Sequence, residues 1–173
     1  MKNTSLCYIE QDGAYLMLHR IRKENDENRD KWIGVGGHFL ENESPEDCVT
    51  REAREETGLT LIHPRYCGIV TFVSDRWEGE YMHLFHAKSF AGALKDCDEG
   101  VLEWVPKAQV RALPQWAGDR IFLELMEREV PFFSLKLTYA GETLTGAVLN
   151  GDPLPCSGAP HSLLPGEKVS RKA

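Results

Sequence analysis

Positive charge is scarce in this chain. Against 27 Asp and Glu residues stand 20 Lys and Arg, a formal net charge of −7 over 173 residues. A surface with that balance repels polyanions, which argues against a nucleic-acid polymer as partner but not against a small nucleotide held through a metal ion. Long apolar runs are also missing. No stretch approaches the roughly 18–20 apolar residues that cross a bilayer, and Met1-Lys2-Asn3-Thr4 leads into no signal-like segment, so a cytoplasmic location is expected. Cysteine is sparse and unpaired. Cys7, Cys48, Cys67, Cys97 and Cys156 are odd in number and never spaced as a ligand pair, which favours free, mostly buried thiols over disulfides or zinc. At 42% hydrophobic and 27% charged residues, the length suits one domain with a real core.

What the chain does carry is acid at a regular spacing. Gly37 is followed by Glu43, and then by the run Arg51-Glu52-Ala53-Arg54-Glu55-Glu56-Thr57-Gly58-Leu59. The local signals predict a helix from Pro45 to Thr57. Ser44 is a good N-cap, Pro45 suits the first helical position, Asp47 completes a capping box and Gly58 can adopt the left-handed closing turn. At about 100° per residue, Glu52, Glu55 and Glu56 fall within roughly one third of the circumference, beside Cys48, Val49 and Ala53, with Asp47, Thr50, Arg54 and Thr57 opposite.

Three carboxylates on the core-facing side need neutralising. Each like-charged pair costs a few tenths of a kcal/mol on an exposed helix, and about 2–3 kcal/mol at roughly 6 Å with an effective dielectric near 20. Mg²⁺ or Mn²⁺ reverses that sign, since hard cations take oxygen ligands and share coordination with substrate phosphates. Arg51, four residues from both Asp47 and Glu55, is placed to hold the array by ion pairing rather than to touch substrate. The bland alternative is a solvated, salt-bridged surface helix.

Elsewhere, Ser5 to Glu10 and Ala14 to Arg20 read as a hairpin around Asp12-Gly13, and Arg22 to Lys31 as an exposed, mobile loop. Gly34-Val35-Gly36-Gly37 lets backbone approach a ligand or metal closely. Tyr66 to Val73 and Tyr81 to Phe85 suit paired strands across the turn Ser74 to Glu80, and Glu103 to Pro106 another short strand. Gly118 to Glu129 places Ile121, Phe122, Leu125 and Met126 at helical spacing, and Phe132 to Tyr139 with Thr143 to Val148 form a closing hairpin. The stretch 150–173 carries four prolines and three glycines, which predicts a disordered tail after a domain spanning 1–149.

The segment from Gly37 to Leu59 resembles a complete Nudix box, the signature of hydrolases acting on nucleoside diphosphates linked to another moiety. The resemblance implies an α/β/α sandwich around a mixed β-sheet, and water attack on phosphorus with Mg²⁺ as cofactor. Glu52, Glu55 and Glu56 are then metal ligands. Glu56 or Glu52 is the general base, with Glu55 and Arg51 in support.

Beyond the box, Thr4 to Val148 is similar to the MutT-like oxidised-purine nucleoside triphosphatases. That likeness implies hydrolysis of a purine nucleoside triphosphate such as 8-oxo-dGTP to monophosphate and pyrophosphate, with the Gly36 carbonyl and Glu99 as further metal ligands. In Trp116-Ala117-Gly118-Asp119 the indole would stack on the base and the carboxyl read its edge, although by themselves these residues also suit a helix N-terminus beside core. Phe72 and Phe122 match pocket walls and Arg20 a phosphate-side cation, positions that equally suit a structural role, and Gly37 and His38 are further substrate-binding candidates. Two positions depart from the pattern. Ile33 stands where the mammalian enzymes have a base-binding asparagine, and His38 where a lysine is common, so selection of an oxidised base is less firmly implied than triphosphate hydrolysis. Hydrolysis of ADP-ribose or a dinucleoside polyphosphate, and a non-catalytic nucleotide-binding module, are the alternatives.

Overall fold

Alternation along one strand sets the layers of the molecule, which we describe from a computed structural model covering residues 1–156. In β1 (Lys2–Gln11) every residue from Thr4 to Ile9 is buried. Leu6 and Tyr8 join one apolar cluster while Cys7 and Ile9 join another on the opposite face. A strand filled on both sides in this way lies at the centre of a covered sheet. Asp12 and Gly13 both take positive φ, 51° and 74°, and turn the chain into β2 (Ala14–Arg20), with Ile9 opposite Leu16.

The remaining elements follow as β3 (Trp32–Ile33), β4 (Val35–His38), α1 (Pro45–Thr57), β5 (Thr60–Leu61), β6 (Arg65–Ser74), β7 (Glu80–Ala87) and β8 (Phe90–Ala91). After these come β9 (Gly100–Pro106), α2 (Lys107–Val110), α3 (Asp119–Glu127), β10 (Phe133–Ala140), β11 (Thr143–Leu149) and β12 (Asp152–Leu154). The main sheet runs in the order β12-β11-β10-β6-β7-β1-β2-β3, with β4 paired to β1 and β9 to β2. Pairs β1 with β7 and β6 with β10 are parallel, whereas the hairpins are antiparallel, so the sheet is mixed. α3 covers the side holding Tyr8, Met17 and Leu137; α1 covers the side holding Ile9, Leu16 and Phe85. The result is the α/β/α sandwich that the resemblance implies.

Helix α1 has the expected bounds. The Ser44 side chain accepts from the Asp47 amide, Asp47 accepts in return from Ser44, and Gly58 at φ 79° donates to the Arg54 carbonyl. Val49 and Ala53 are fully buried beneath it. Burying a large apolar side chain such as Val49 contributes about 1.5–3 kcal/mol, enough to seat a helix whose adjoining face is acidic. Thr57 corrects the helical-wheel assignment: it is fully buried, with its hydroxyl donating to the Ala53 carbonyl at 2.5 Å. Cys48, Val49, Ala53, Glu56 and Thr57 are the buried residues of α1, so the helix is rolled further toward Thr57 than the acid spacing suggested.

Other differences have local causes. Strand β9 begins at Gly100 rather than Glu103 because it pairs with β2 along the whole length of that strand. Asp152–Leu154 lies within the stretch expected to be tail, yet forms β12 against β11; the expected disorder of 157–173 lies outside the described residues. The loop after Arg20 is tied down, with Asp30 N donating to the Arg20 carbonyl at 2.7 Å and Arg20 N to the Lys31 carbonyl at 3.0 Å. All five cysteines are free; four are buried and Cys156 is exposed. No helix among the described residues is long and apolar enough to cross a membrane.

Candidate active site

Glu52 and Glu56, four residues apart on α1, point toward the start of β4, where glycines leave room for them. The Gly36 amide donates to Glu56 Oε2 at 2.9 Å, and a Cβ built on Gly37 would lie 2.5 Å from the Glu52 carboxyl carbon. Both glutamates line a cavity of about 570 Å³ with Gly36, Gly37 and Glu99. Glu56 is only 7% exposed, and its pKa is pushed up to about 8, first by burial and then by the charges of Glu99 and Glu52.

Cations hold the other two acids. Glu99 takes the Arg20 guanidinium and, at 2.5 Å, the Lys23 ammonium. Burial works against its charge, but these two neighbours outweigh it and its pKa lies below the ordinary value. Arg20 is itself fixed by Asp26 at 2.7 Å. Glu52 accepts from Arg51 Nη1 at 2.6 Å. The same guanidinium grips Glu43 through Nε and Nη2 at 2.5 and 2.9 Å and donates to the His38 carbonyl at 3.0 Å. Those bonds draw the Glu43 pKa down to about 2. Arg51 thus joins Glu52 to Glu43 rather than to Asp47, whose carboxylate is taken by the Ser44 cap.

Glu55 does not join this group. Its side chain is 61% exposed, lies outside the cavity and meets Arg51 at 3.3 Å. The roll of α1 that buries Thr57 turns this position away from the sheet.

Among the described residues, no three acidic, His or Cys side chains converge closely enough to form a finished metal cage. The donor set nevertheless fits a hard cation. Glu52, Glu56 and Glu99 face one space with the Gly36 backbone, and Glu56 is buried against two like charges with no cationic side chain bonded to it among the described residues. An oxygen-rich donor set of this kind suits a hard divalent ion.

The cavity continues into an apolar chamber lined by Ile33, Phe72, Trp77, Met82, Leu137 and Tyr139. Trp116 also lines it but is 6% exposed. Its Nε1 donates to Asn28 Oδ1 at 2.9 Å, and Lys31 Nζ sits 4.3 Å above its ring, so one face is already covered. Asp119 opens α3 and faces the cavity at 6% exposure. Gly118 is the N-cap and makes no side-chain cap bond, so Asp119 is not spent on capping. Burial pushes its pKa up to about 8 against the pull of Lys31 and Arg120. His38 lies at the rim. Phe122 is fully buried 6.0 Å from Tyr8, outside the lining, where it packs the core.

Sequence reasoning missed Lys23, Thr4, Trp77, Glu80 and Tyr139 as lining residues. Lys23 and Trp77 lie in loops that no periodicity describes, and the strand faces that carry Thr4, Glu80 and Tyr139 meet only through long-range pairing.

A family model described as the NUDIX domain matches residues 2–126. An uncharacterized Nudix hydrolase of Bacillus subtilis is 31% identical over 147 residues, covering 82% of this chain and 89% of that protein. The oxidized purine nucleoside triphosphate hydrolase of Danio rerio is 31% identical over 133 residues, covering 76% and 83%. The crystal structure of a mutator MutT protein from Bacillus halodurans superposes with a TM-score of 0.78 at 26% identity, covering 88% of this chain and 100% of that one.

Proposed function

The chain belongs to the Nudix family and is a pyrophosphohydrolase of that family, from which premise we propose that it hydrolyses purine nucleoside triphosphates, 8-oxo-dGTP among them, to monophosphate and pyrophosphate, clearing damaged nucleotides. The observation that carries this reading is one continuous cavity, acidic where Glu52, Glu56 and Glu99 meet and aromatic where Phe72 and Trp116 lead to Asp119. That layout fits a flat base at one end and a phosphate chain at the other. The likeness to the Danio rerio enzyme supports the oxidised-purine substrate.

In this reading Glu52, Glu56, Glu99 and the Gly36 carbonyl would hold Mg²⁺ or Mn²⁺, with Glu55 left as a supporting surface charge. The bound cation would supply a water of lowered pKa and neutralise charge on the phosphates. Glu56 is the better candidate to accept the proton of the attacking water, because Gly36 orients its carboxylate and no cationic side chain engages it, whereas Glu52 is bonded to Arg51. Arg51 positions Glu52 by anchoring to Glu43 and the His38 carbonyl. Arg20 and Lys23, at the mouth beside Glu99, are placed to meet phosphate oxygens. Asp119 reads the base edge, and Phe72 with the free part of Trp116 flanks its face.

Steady-state kinetics on a nucleotide panel with Mg²⁺ tests the reading. We expect 8-oxo-dGTP to exceed dGTP in kcat/KM by more than about tenfold, or 1.4 kcal/mol. A preference for a nucleoside diphosphate linked to a sugar or a second nucleoside would overturn it.

A further inference from the structure

The chamber holds polar groups to which the function proposed above gives no task. One rung of the sheet sets Leu137, Phe72, Glu80 and Lys2 side by side on β10, β6, β7 and β1, and the next on that face sets Met82 beside Thr4. All six line the cavity. Thr4 is 7% exposed, and its buried Oγ1 has no hydrogen-bond partner among the described residues. The Glu80 carboxylate makes no ion pair among the described residues. Burial raises its pKa, with the nearby Thr4 hydroxyl and the Lys2 charge pulling only partly the other way. Glu80 in turn helps raise the pKa of Asp119, so the two carboxyl groups face one space within reach of each other's field.

We infer that Glu80 is a second base-edge reader that works with Asp119 to select a purine carrying N–H donors on two edges. This rests on the purine triphosphate function proposed above and names its selective element. Carboxylate oxygens accept hydrogen bonds. Unmodified guanine offers donors at N1 and N2 but only acceptors at N7 and O6. Oxidation at C8 places a hydrogen on N7 and so creates a donor on that second edge. A protonated carboxyl group, the form that burial favours here, carries one acceptor and one donor, which match the N7–H and the O6 of the oxidised base, whereas the second edge of the unmodified base offers acceptors only and leaves the carboxyl C=O facing a lone pair. Ile33 leaves discrimination to these acids, since an apolar side chain contributes no edge contact.

The test compares wild type with Glu80→Gln and Glu80→Leu on 8-oxo-dGTP and dGTP, with thermal melting to verify folding and calorimetric binding of the product 8-oxo-dGMP. Glu80→Leu should lose at least about tenfold of the preference for the oxidised base, mainly through KM, with matching loss of product affinity, whereas Glu80→Gln keeps one acceptor and one donor and should retain it. A wild type that turns over neither purine triphosphate overturns the proposed function and this inference together. A wild type that prefers 8-oxo-dGTP, with a folded Glu80→Leu variant that keeps the preference, overturns the role of Glu80 alone. So does a wild type that turns over both purines equally, while triphosphate hydrolysis stands.

Discussion

At the scale of single residues, the least ordinary groups are acids kept from water. Burial keeps Asp119 protonated in the folded chain up to about pH 8, whereas in the unfolded chain it ionises near its ordinary value of about 4. The folded state thus binds the extra proton between those limits, and stability falls as pH rises through that window. Glu27 and Glu80 are raised by burial too and act in the same direction. Asp119→Asn should therefore flatten part of the slope: its melting temperature should change less than that of wild type between about pH 5 and about pH 8. Equal slopes in the two proteins would mean that Asp119 is ionised when folded. Asp119 was legible in the sequence because it sits in a recognisable Trp-Ala-Gly-Asp segment. Glu80 was not, because it closes a polar turn and nothing local shows that its strand lies beside Thr4 and Phe72.

At the scale of elements, α1 and its glycine-bearing partner β4 form the working unit. The ends of α1 were readable because capping is local chemistry among Ser44, Pro45, Asp47 and Gly58. Which acids face inward was only half readable. The roll of the helix follows the packing of Val49, Ala53 and Thr57, which brings Glu56 in and leaves Glu55 out. The partner of Arg51 was likewise hidden, since Glu43 comes from the preceding loop while the nearer Asp47 caps the helix. Contact between the two elements is tightest at Gly37, where the nearest heavy atoms to an added Cβ all belong to the Glu52 carboxylate. Gly37→Ala should displace that carboxylate and lower kcat/KM by about tenfold or more, an effect at the low end of single catalytic interactions. Melting should change little, because the clash falls on a side chain. Kinetics with parallel thermal denaturation would measure both, and wild-type kinetics in the alanine variant would remove Glu52 from the site.

At the scale of the whole molecule, the strand order carried the least signal in the sequence. The parallel pairings of β1 with β7 and β6 with β10 join segments more than 60 residues apart, and no local pattern specifies them. They build the floor of the chamber, while α1, the stretch around Glu99 and the loop after Arg20 close its acidic end. In the described residues acid meets aromatic surface within the cavity around Glu56 and Phe72, and in the function proposed its acid end activates water at a phosphoanhydride. The most direct measurement is Mg²⁺-dependent turnover of a purine nucleoside triphosphate by wild type and Glu56→Gln, with products identified and melting recorded. Wild type should release monophosphate and pyrophosphate, and the variant should melt like wild type with a kcat at least about 100-fold lower. Undiminished turnover in Glu56→Gln, or release of nucleoside diphosphate and phosphate, would contradict that function.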